Sequence, residues 1–453
     1  MSPGRRRSII SWGRDRREGI ELYAERLEAA STHASLSRGL GRSYGDAGLP
    51  ASSASPVLNT TLADRLLSFQ EDDGAGRAIV RAEAGLSLAE LHRVFIPRGY
   101  FSPVTPGTQF VTLGGMVAAD VHGKNQHIAG NFGDHLHALR LRAADGRVLD
   151  ISPAEHPELF AATIGGMGLT GHILEVEFAL DRIPSRFIYQ EALRIPNLES
   201  FEEELRSSAE RFPFTMGWID ALSKGDSLGR GVLYRGRFAE AEELPRRLPR
   251  PPRPARLSFD FPSWVLNPLS IRAFNELKYR SQPPRLDARF VTLEEFFYPL
   301  DAIHEWNRMY GLRGFTQYQC VLPRGSSTRR VLEALAESAA ASFLCVIKDF
   351  DRIGRGTLSF PMPGITLAID LPRAPHIRDI VAKLNRIVIE EGGRVYLAKD
   401  RYTTREEYLA MDPRVAEFEA IRDECDPQRV FRSAQSVRIF GDEEERDRAN
   451  DEE

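Results

Sequence analysis

The stretch TPGTQFVTLGGMVAADVHGKNQHIAGNFGDH, residues 105–135, is long and has almost no helical or strand periodicity. Its glycines allow the backbone to approach a ligand closely, because glycine has no Cβ. They are Gly107, Gly114, Gly115, Gly123, Gly130 and Gly133. Polar side chains able to meet phosphate oxygens and ring heteroatoms stand between them, namely Thr108, Thr112, His122, Lys124, Asn125 and His127. This composition predicts a fold built around a large anionic cofactor.

The overall composition is that of an ordinary soluble globular chain. Its 453 residues favour two domains, or one domain with a large insertion. Hydrophobic residues make up 42% and charged residues 27%, and the net charge of -4 argues against general nucleic-acid binding. The three cysteines lack metal-ligand spacing, so we predict no metal site.

The sequence gives no sign of a targeting or membrane-spanning segment. The N-terminal MSPGRRRSIISWGRDRREG lacks an apolar core of signal-peptide length, and no window approaches the roughly 20 apolar residues that span a bilayer. We therefore expect a cytoplasmic protein. A peripheral association with the inner membrane face stays open, because hydropathy does not detect a shallow amphipathic surface.

The chain divides into regions that differ in their pattern of predicted strands, helices and loops. Residues 30–180 alternate short β-type runs with short helical ones, as in an α+β or α/β domain. After Pro184, FTQYQCVLP, SFLCVIKDF and ITLAIDLP predict strands, and RVLEALAESAAAS and IRDIVAKLNRIVIEEGG predict helices that cover them. The proline- and arginine-rich residues 246–270 predict a mobile loop, either a linker or a lid or lipid-facing segment. The charged tail, residues 441–453, predicts disorder.

Two other glycine clusters invite comparison with the GxGxxG dinucleotide fingerprint. In SRGLGRSYGDAG, residues 37–48, the third glycine is Gly45, one position too late, and no strong helix follows. GMGLTG, residues 166–171, matches formally, but a helix precedes it and a strand follows. Phosphate binding at a helix N-terminus needs the reverse order, so we reject a nicotinamide-binding fold.

The ordered motifs SRGLGRSYGD, PGT, VTLGGMVAADVHGKN and IGGMGLTG resemble the FAD-binding domain of vanillyl-alcohol-oxidase-type flavoproteins. Downstream, FFYPLDAIHEWNRMYG, GFTQYQCVLP, SFLCVIKDF, LSFPMPGITLAIDLP and GGRVYLAKDRYTT resemble, in the same order, the flavin (oxidase) subunits of the decaprenylphosphoryl-β-D-ribose 2′-epimerase family. The resemblance covers about residues 10–435. Collinear motifs of this length are far more specific than any short pattern.

The resemblance implies an α+β fold with a two-subdomain FAD-binding domain and an inserted substrate domain. The FAD-binding domain would comprise residues 1–183 and be completed by residues 394–440. The substrate domain, residues 184–393, would be built on an antiparallel sheet covered by helices.

The resemblance also implies where FAD binds. The pyrophosphate would lie along residues 39–44, termed the first glycine loop, where successive backbone amides can bind an anion without a lysine. The implied cofactor contacts are Gly39, Leu40, Gly41, Arg42, Ser43, Tyr44, Gly107, Thr112, Leu113, Gly114, Gly115, Ala119, Asp120, Val121, His122, Ile173 and Tyr396. Some relatives attach the flavin through a histidine in the first glycine loop. That loop carries none here, so we predict non-covalent FAD.

Lys399, in VYLAKDRYTT, falls on the family's active-site lysine. The resemblance therefore implies that it acts on the flavin or on a substrate oxygen, with Tyr44 as its partner in proton transfer. Without the resemblance, a lysine at a strand end is more often simply exposed. Lys124, in HGKN, could likewise be a solvated loop lysine.

Gln317 and Gln319 lie two residues apart, so on a strand they share one face. In isolation, that face could equally be a solvent-facing stripe. The resemblance places it along the substrate pocket together with Lys348, Phe297 and Lys124. Amides and ammonium groups suit sugar hydroxyls and a lipid-linked phosphate, and Phe297 would form an apolar wall.

The activity that the resemblance implies is FAD-dependent oxidation of the 2′-hydroxyl of a polyprenyl-phosphoryl ribose. The 2′-keto product would be the first half of epimerisation to the arabinose donor for cell-envelope glycans. The expected partners are a lipid-linked phospho-sugar substrate and a separate NAD(P)H-dependent keto-reductase, with no nucleic acid. Two alternatives stay open: an FAD-dependent alditol or aldonolactone oxidase that uses oxygen, and a catalytically silent flavin-fold partner subunit.

Overall fold

The structure is a computed structural model that describes residues 4–71, 76–262, 264–325, 327–338 and 342–443. Its strands form three sheets and one separate pair, with helices packed against them, so the predicted α+β class is confirmed. Within the described ranges, no helix is both long and apolar enough to cross a membrane.

The first sheet carries the first glycine loop. Its strands are β1 (Arg5–Ile10), β2 (Arg16–Tyr23), β3 (Leu36–Arg38) and β4 (Pro56–Asn59). They lie in the order β1-β2-β4-β3, with β1 and β2 antiparallel and the other neighbours parallel. Because β3 is an edge strand that ends at Arg38, the glycine loop leaves the sheet at its edge.

The second sheet is antiparallel and supports residues 105–135. Its strands are β5 (Leu66–Glu71), β6 (Arg77–Glu83), β7 (Tyr100–Phe101), β8 (Leu136–Arg142), β9 (Val148–Ile151) and β10 (His172–Arg182). Their order is β5-β6-β10-β8-β9, and β7 pairs with β10. Val80 and Phe178 pair across β6 and β10 and are fully buried in the core of this sheet.

The third sheet is the antiparallel sheet predicted for the substrate domain. The remaining strands are β11 (Phe187–Ile195), β12 (Phe214–Ile219), β13 (Gly231–Phe238), β14 (Ala255–Arg256), β15 (Arg285–Thr292), β16 (Ile303–His304), β17 (Phe315–Leu322), β18 (Cys345–Phe350), β19 (Gly364–Pro372) and β20 (Arg394–Val395). The sheet order is β15-β11-β13-β12-β18-β19-β17-β20, and β14 pairs separately with β16. The three predicted strands are confirmed as β17, β18 and β19. Residues that follow β20 therefore start beside β17.

Short and long helices cover these sheets. They are α1 (Leu27–Ala30), α2 (Leu88–Phe95), α3 (Leu113–Ala118), α4 (Gln126–Ala129), α5 (Pro157–Thr163), α6 (Leu198–Ala209), α7 (Pro268–Ser281), α8 (Leu293–Phe297), α9 (Ser327–Ser338), α10 (Ile377–Glu390), α11 (Arg405–Met411), α12 (Val415–Cys425) and α13 (Ala434–Phe440). The two predicted covering helices are confirmed as α9 and α10. Leu335 and Leu384 on them share one buried core with Val321 and Leu367 of the sheet.

Residues 165–171 form the turn from α5 to β10 and do not lie at the N-terminus of a helix. Two of their backbone amides donate hydrogen bonds to the end of α3. The amide of Gly165 donates to Val117 O at 3.0 Å, and that of Met167 donates to Ala118 O at 2.9 Å. The rejection of this cluster as a dinucleotide fingerprint therefore agrees with the structure.

Two predictions were wrong in part. Residues 246–270 are not a loop throughout, because Ala255–Arg256 pair with Ile303–His304 and α7 already begins at Pro268. The tail is ordered at its start, because Asp442 is buried and accepts a 3.0 Å hydrogen bond from Arg422. Residues 444–453 lie outside the described residues, and the domain boundaries stay predictions.

Candidate active site

The first glycine loop presents a run of free backbone amides. Those of Leu40, Gly41, Arg42 and Ser43 donate to no acceptor within the described part of the chain. Gly41 has a φ of 65°, and a Cβ there would stand 2.1 Å from the Arg38 guanidinium. Successive free amides around a left-handed glycine suit an anion such as a pyrophosphate.

The first glycine loop lies directly against residues 105–135, termed the second segment. A Cβ on Gly39 would stand 2.2 Å from Oγ1 of Thr112, so only glycine fits at this approach. Thr112 caps α3, because its Oγ1 accepts a hydrogen bond from the amide of Gly115 at 3.3 Å. Arg42 adds a second link by donating from Nε to Phe110 O at 3.1 Å. The two segments that the sequence assigned to the cofactor are therefore neighbours.

The middle of the second segment, residues 105–135, is fixed to the residues that directly follow β6. Leu113 donates its amide to Leu86 O at 2.9 Å, and Gly114 donates to Ala84 O at 2.8 Å. Leu113 is fully buried, so it supports the site as part of the core. Gly107 differs, because an added Cβ there would have no protein atom within 4 Å. It leaves open space beside the backbone.

Asp120 holds the second segment together. Its carboxylate accepts hydrogen bonds from Asn131 Nδ2 at 2.7 Å and from the Gly133 amide at 2.9 Å, and the Ser359 hydroxyl donates to it as well. Burial raises the pKa of Asp120 to about 6 against these hydrogen bonds. Since the carboxylate is occupied inside the protein, a cofactor contact would involve the Asp120 backbone.

The other predicted cofactor residues occupy different surroundings. The Tyr396 hydroxyl donates to Ala119 O at 2.7 Å, and the Tyr396 ring stacks on Phe360 at 4.8 Å. Val121 engages both of its backbone polar groups within the loop. Ile173 is buried in the core of the second sheet. Direct contact of these residues with a cofactor stays a prediction.

Lys399 and Tyr44 meet at the junction of the first and third sheets. Nζ of half-buried Lys399 lies 3.8 Å from the centroid of the buried Tyr44 ring. The Tyr44 amide donates to Ala398 O at 3.1 Å, and a Cβ on Gly45 would stand 1.8 Å from Asp400 O. Burial lowers the pKa of Lys399 to about 7 and raises that of Tyr44 well above its ordinary value.

Asp370 belongs to the same site, although the sequence reasoning missed it. It lies on β19 opposite Gln317 of β17, whose Nε2 donates to its Oδ1, and the Tyr310 hydroxyl donates to its Oδ2 at 3.0 Å. Burial raises the pKa of Asp370 to about 7, while these hydrogen bonds and the charge of Lys399 oppose the shift. The signal was an acidic residue inside the apolar strand ITLAIDLP, because a fully buried aspartate is rare.

His122 lies between a glutamine and a lysine. Its Nε2 is 3.0 Å from Gln319 Nε2, and its Nδ1 is 3.1 Å from Lys348 Nζ. Burial, followed by the charges of Lys348 and Lys399, lowers the pKa of His122 well below its ordinary value. His122 is therefore a neutral imidazole that connects the second glycine segment to the face of β17 and β18.

Lys124 and Phe297, two predicted substrate-binding residues, lie near each other. Lys124 donates to Phe296 O, and its ammonium lies 4.5 Å from the Phe296 ring centroid. Phe297 is 1% exposed and packs against Phe101 at 5.2 Å and Phe214 at 4.9 Å. The Lys124 ammonium lies 5.8 Å from the Phe297 ring centroid. The role of Phe297 as a wall of the substrate pocket stays a prediction.

The site concentrates positive charge. The charge of Lys348 lowers the pKa of Lys124, and the charge of Lys399 lowers that of Lys348, in each case after the larger effect of burial. Within the described residues, none of these three lysines forms an ion pair. Cationic groups withdrawn from water without a partner are costly, so the cluster suits an anionic ligand. Together with the free amides of the first glycine loop, it fits a large anionic flavin nucleotide.

Comparisons with known proteins agree with this geometry. The FAD-binding-domain family matches residues 24–152, which contain both glycine segments. The chain is 35% identical over 418 residues to decaprenylphosphoryl-β-D-ribose oxidase of Mycolicibacterium smegmatis, covering 89% of this chain and 88% of that protein. It is 32% identical over 370 residues to an uncharacterized Streptomyces coelicolor protein in the mprA 5′ region, covering 78% and 100%. A D-arabinono-1,4-lactone oxidase of Eremothecium gossypii is 25% identical over 178 residues, covering 39% and 32%. The chain is therefore an FAD-dependent oxidoreductase and belongs to the decaprenylphosphoryl-β-D-ribose oxidase family.

Proposed function

We propose that the protein oxidises the 2′-hydroxyl of a polyprenyl-phosphoryl ribose to the 2′-keto sugar, with non-covalently bound FAD. The observation that carries this proposal is the cluster of three lysines without ion-pair partners beside Gln317 and Gln319. The ammonium groups of Lys124 and Lys348 suit the substrate phosphate, and the two amides suit sugar hydroxyls. The similarity to a decaprenylphosphoryl-β-D-ribose oxidase over nearly the whole chain supports the same substrate class.

Bound FAD supplies the acceptor for the hydride that leaves C2′. The proton that leaves the 2′-hydroxyl goes to Lys399, whose pKa of about 7 leaves a large neutral fraction at neutral pH. Tyr44 keeps its own proton, because burial raises its pKa well above the ordinary value. It therefore orients the hydroxyl through a hydrogen bond.

The product fits a two-enzyme epimerisation. Inversion at C2′ requires the keto group to be reduced from the opposite face, and that reduction needs a hydride donor. A separate NAD(P)H-dependent keto-reductase would therefore consume the product. The lipid-linked substrate also implies that the protein works at a membrane face.

Anaerobic mixing of the FAD-loaded protein with a polyprenyl-phosphoryl ribose tests this function. We expect the visible absorption band of the flavin to bleach and a 2′-keto sugar to form, whereas free alditols and aldonolactones leave the band unchanged. Bleaching by those soluble compounds, with hydrogen peroxide formed on admission of air, would replace the proposal with the alditol or aldonolactone oxidase. A protein that binds no flavin, and whose Lys399→Ala variant acts normally in cells, would instead be a silent partner subunit.

A further inference from the structure

An apolar surface is exposed on α7 and in the loops beside it. Trp264, Leu269 and Leu277 have 74%, 77% and 71% of their surface exposed, and Phe259 and Leu312 have 62% and 77%. These five side chains are termed the exposed apolar surface. Isolated exposed leucines are ordinary, but large side chains this exposed within one short region mark an interaction site.

Helix α7 is buried on one side and exposes leucines on the other. Ile271 and the fully buried Asn275 form its inner side. Leu269 and Leu277 are eight residues apart, so they lie on one outward stripe, and the exposed Arg272 flanks it. A helix that needed only to cover the protein core would not require that outward stripe.

The surroundings of the exposed apolar surface are strongly cationic. Residues 246–285 contain nine arginines and lysines but only two acidic residues, Asp260 and Glu276, in a chain whose net charge is -4. Both carboxylates are already paired, Asp260 with Arg14 at 2.7 Å and Glu276 with Arg230 at 2.6 Å. Arg256, Arg280 and Arg285 also form ion pairs. Within the described residues the other five arginines form none, so this stretch keeps an excess of positive charge beside the apolar side chains; they are Arg246, Arg247, Arg250, Arg253 and Arg272.

This region is connected to the candidate active site through a series of aromatic side chains. The ring of half-exposed Phe274 lies 5.9 Å from Phe343, and Phe343 stacks on Tyr310 at 5.4 Å. Tyr310 stacks on Phe315 at 4.1 Å, and Phe315 lies 5.3 Å from Tyr44. An unbroken series of aromatic contacts thus runs from α7 to Tyr44.

Arg14 joins the two loops that carry Phe259 and Leu312. Its Nη1 donates to Asp260 Oδ1 at 2.7 Å and to Gly311 O at 2.6 Å. These bonds place the segment that carries Phe259 beside the turn that carries Leu312. Arg14 therefore connects the two loops of the exposed apolar surface to each other.

We propose that the exposed apolar surface docks on an anionic lipid bilayer. Leucine side chains at the acyl boundary, a tryptophan at headgroup level and a rim of arginines facing anionic headgroups are the chemistry of an interfacial helix. A protein partner would have to supply carboxylates opposite these arginines, whereas an anionic bilayer presents negative charge over its whole surface. The docking itself does not depend on the proposed function. Delivery of a lipid-linked sugar from the docked surface toward Tyr44 rests on the proposed function.

Co-sedimentation of the FAD-loaded protein with vesicles tests the docking without any substrate. We expect binding to vesicles that contain phosphatidylglycerol, weak binding to pure phosphatidylcholine, and a loss of binding as salt is raised. Leu269→Ser with Leu277→Ser should lower the partition coefficient at least about tenfold, because two leucine side chains no longer enter the acyl boundary. Leu62→Ser with Leu409→Ser, at leucines 49% and 41% exposed elsewhere, is the matched control and should bind like wild type.

Absence of wild-type binding to anionic vesicles would overturn the proposal, as would equal binding by the Leu269/Leu277 variant. Dimerisation abolished by that variant, without vesicle binding, would assign the surface to a second copy of the chain. If the variant does not fold, quenching of wild-type Trp264 fluorescence by brominated lipids decides the matter, with Trp264→Phe as the reference. Oxidation of a water-soluble, short-chain phospho-ribose should be unchanged in a folded variant, so failure of the proposed function is seen separately.

Discussion

Lys399 illustrates how one residue can favour catalysis at the expense of stability. Its folded-state pKa of about 7 lies below the ordinary 10.5, so the unfolded chain binds more protons between these pH values. The resulting cost to stability is complete below pH 7 and falls as the pH rises toward 10.5.

Lys399→Met should therefore stabilise the FAD-free protein while removing activity. We expect kcat/KM to fall at least about a hundredfold because the proton acceptor is lost. The free energy of unfolding at pH 7 should rise by about 1–4 kcal/mol, since a partly buried lysine that forms no ion pair within the described residues is replaced by an apolar side chain. Urea unfolding at pH 7 and 9 measures this, and the difference from wild type should narrow at pH 9.

The control for this prediction is Lys383→Met. Lys383 is exposed on α10 and pairs with Glu337 at 2.8 Å, so its replacement should change the free energy of unfolding by less than about 0.5 kcal/mol. A Lys399→Met variant that is less stable than wild type at pH 7 would mean that the attraction between Lys399 and Asp370 outweighs the cost of burying the ammonium group.

Asp370 should act on the reaction through Lys399, as a positioning residue. Its negative charge raises the pKa of Lys399, opposing the larger effect of burial. Asp370→Asn should therefore lower that pKa and move the acidic limb of the kcat/KM profile to lower pH. Tyr310→Phe removes one of the hydrogen bonds that oppose the raised pKa of Asp370, so it should move the limb in the same direction but by less. An unchanged limb in Asp370→Asn would limit Asp370 to a structural role.

At the scale of elements, substitutions of two glycines distinguish the effect of loop packing on stability from the effect of cofactor binding. Gly107→Ala should leave the stability of the FAD-free protein within about 0.5 kcal/mol of wild type, because no protein atom lies within 4 Å of the added methyl group. FAD affinity should nevertheless fall, since the resemblance places FAD in that space. Titration of the FAD-free variant with FAD, followed by flavin fluorescence, measures the change.

Gly39→Ala is the companion variant and should lower both stability and FAD affinity. The added methyl group would stand 2.2 Å from the Thr112 side chain, so the two glycine segments must separate. Unchanged FAD affinity in Gly107→Ala would remove that position from the cofactor site.

Elements with clear local patterns could be predicted from the sequence. The strands β17, β18 and β19 and the helices α9 and α10 were found because each is a run with strong periodicity or β-branched content. The ordered start of the tail was missed because the Arg422–Asp442 pair joins residues that are separate in sequence. Asp370 was missed for the same reason: its partners lie on β17 and in the turn before it, and only the sheet register brings them together.

At the scale of the whole molecule, the candidate site exists only because three sheets meet. The first sheet supplies the free amides and Tyr44, the second supports the segment with Gly107 and His122, and the third supplies Gln317, Gln319 and Lys348. Lys399 follows β20, at the edge of the third sheet, and reaches back to the Tyr44 ring. The residues that would hold FAD and the lysine that would accept the proton thus come from different parts of one chain.

The central claim is that the chain removes a hydride from C2′ of a lipid-linked ribose while Lys399 takes the hydroxyl proton. Anaerobic stopped-flow reduction of the FAD-loaded protein by polyprenyl-phosphoryl ribose carrying deuterium at C2′ tests it most directly. We predict that deuterium at C2′ slows flavin bleaching several-fold, that deuterium at C3′ does not, and that Lys399→Met bleaches far more slowly with either substrate. Bleaching that is insensitive to deuterium at C2′, or equally fast in Lys399→Met, would contradict the account.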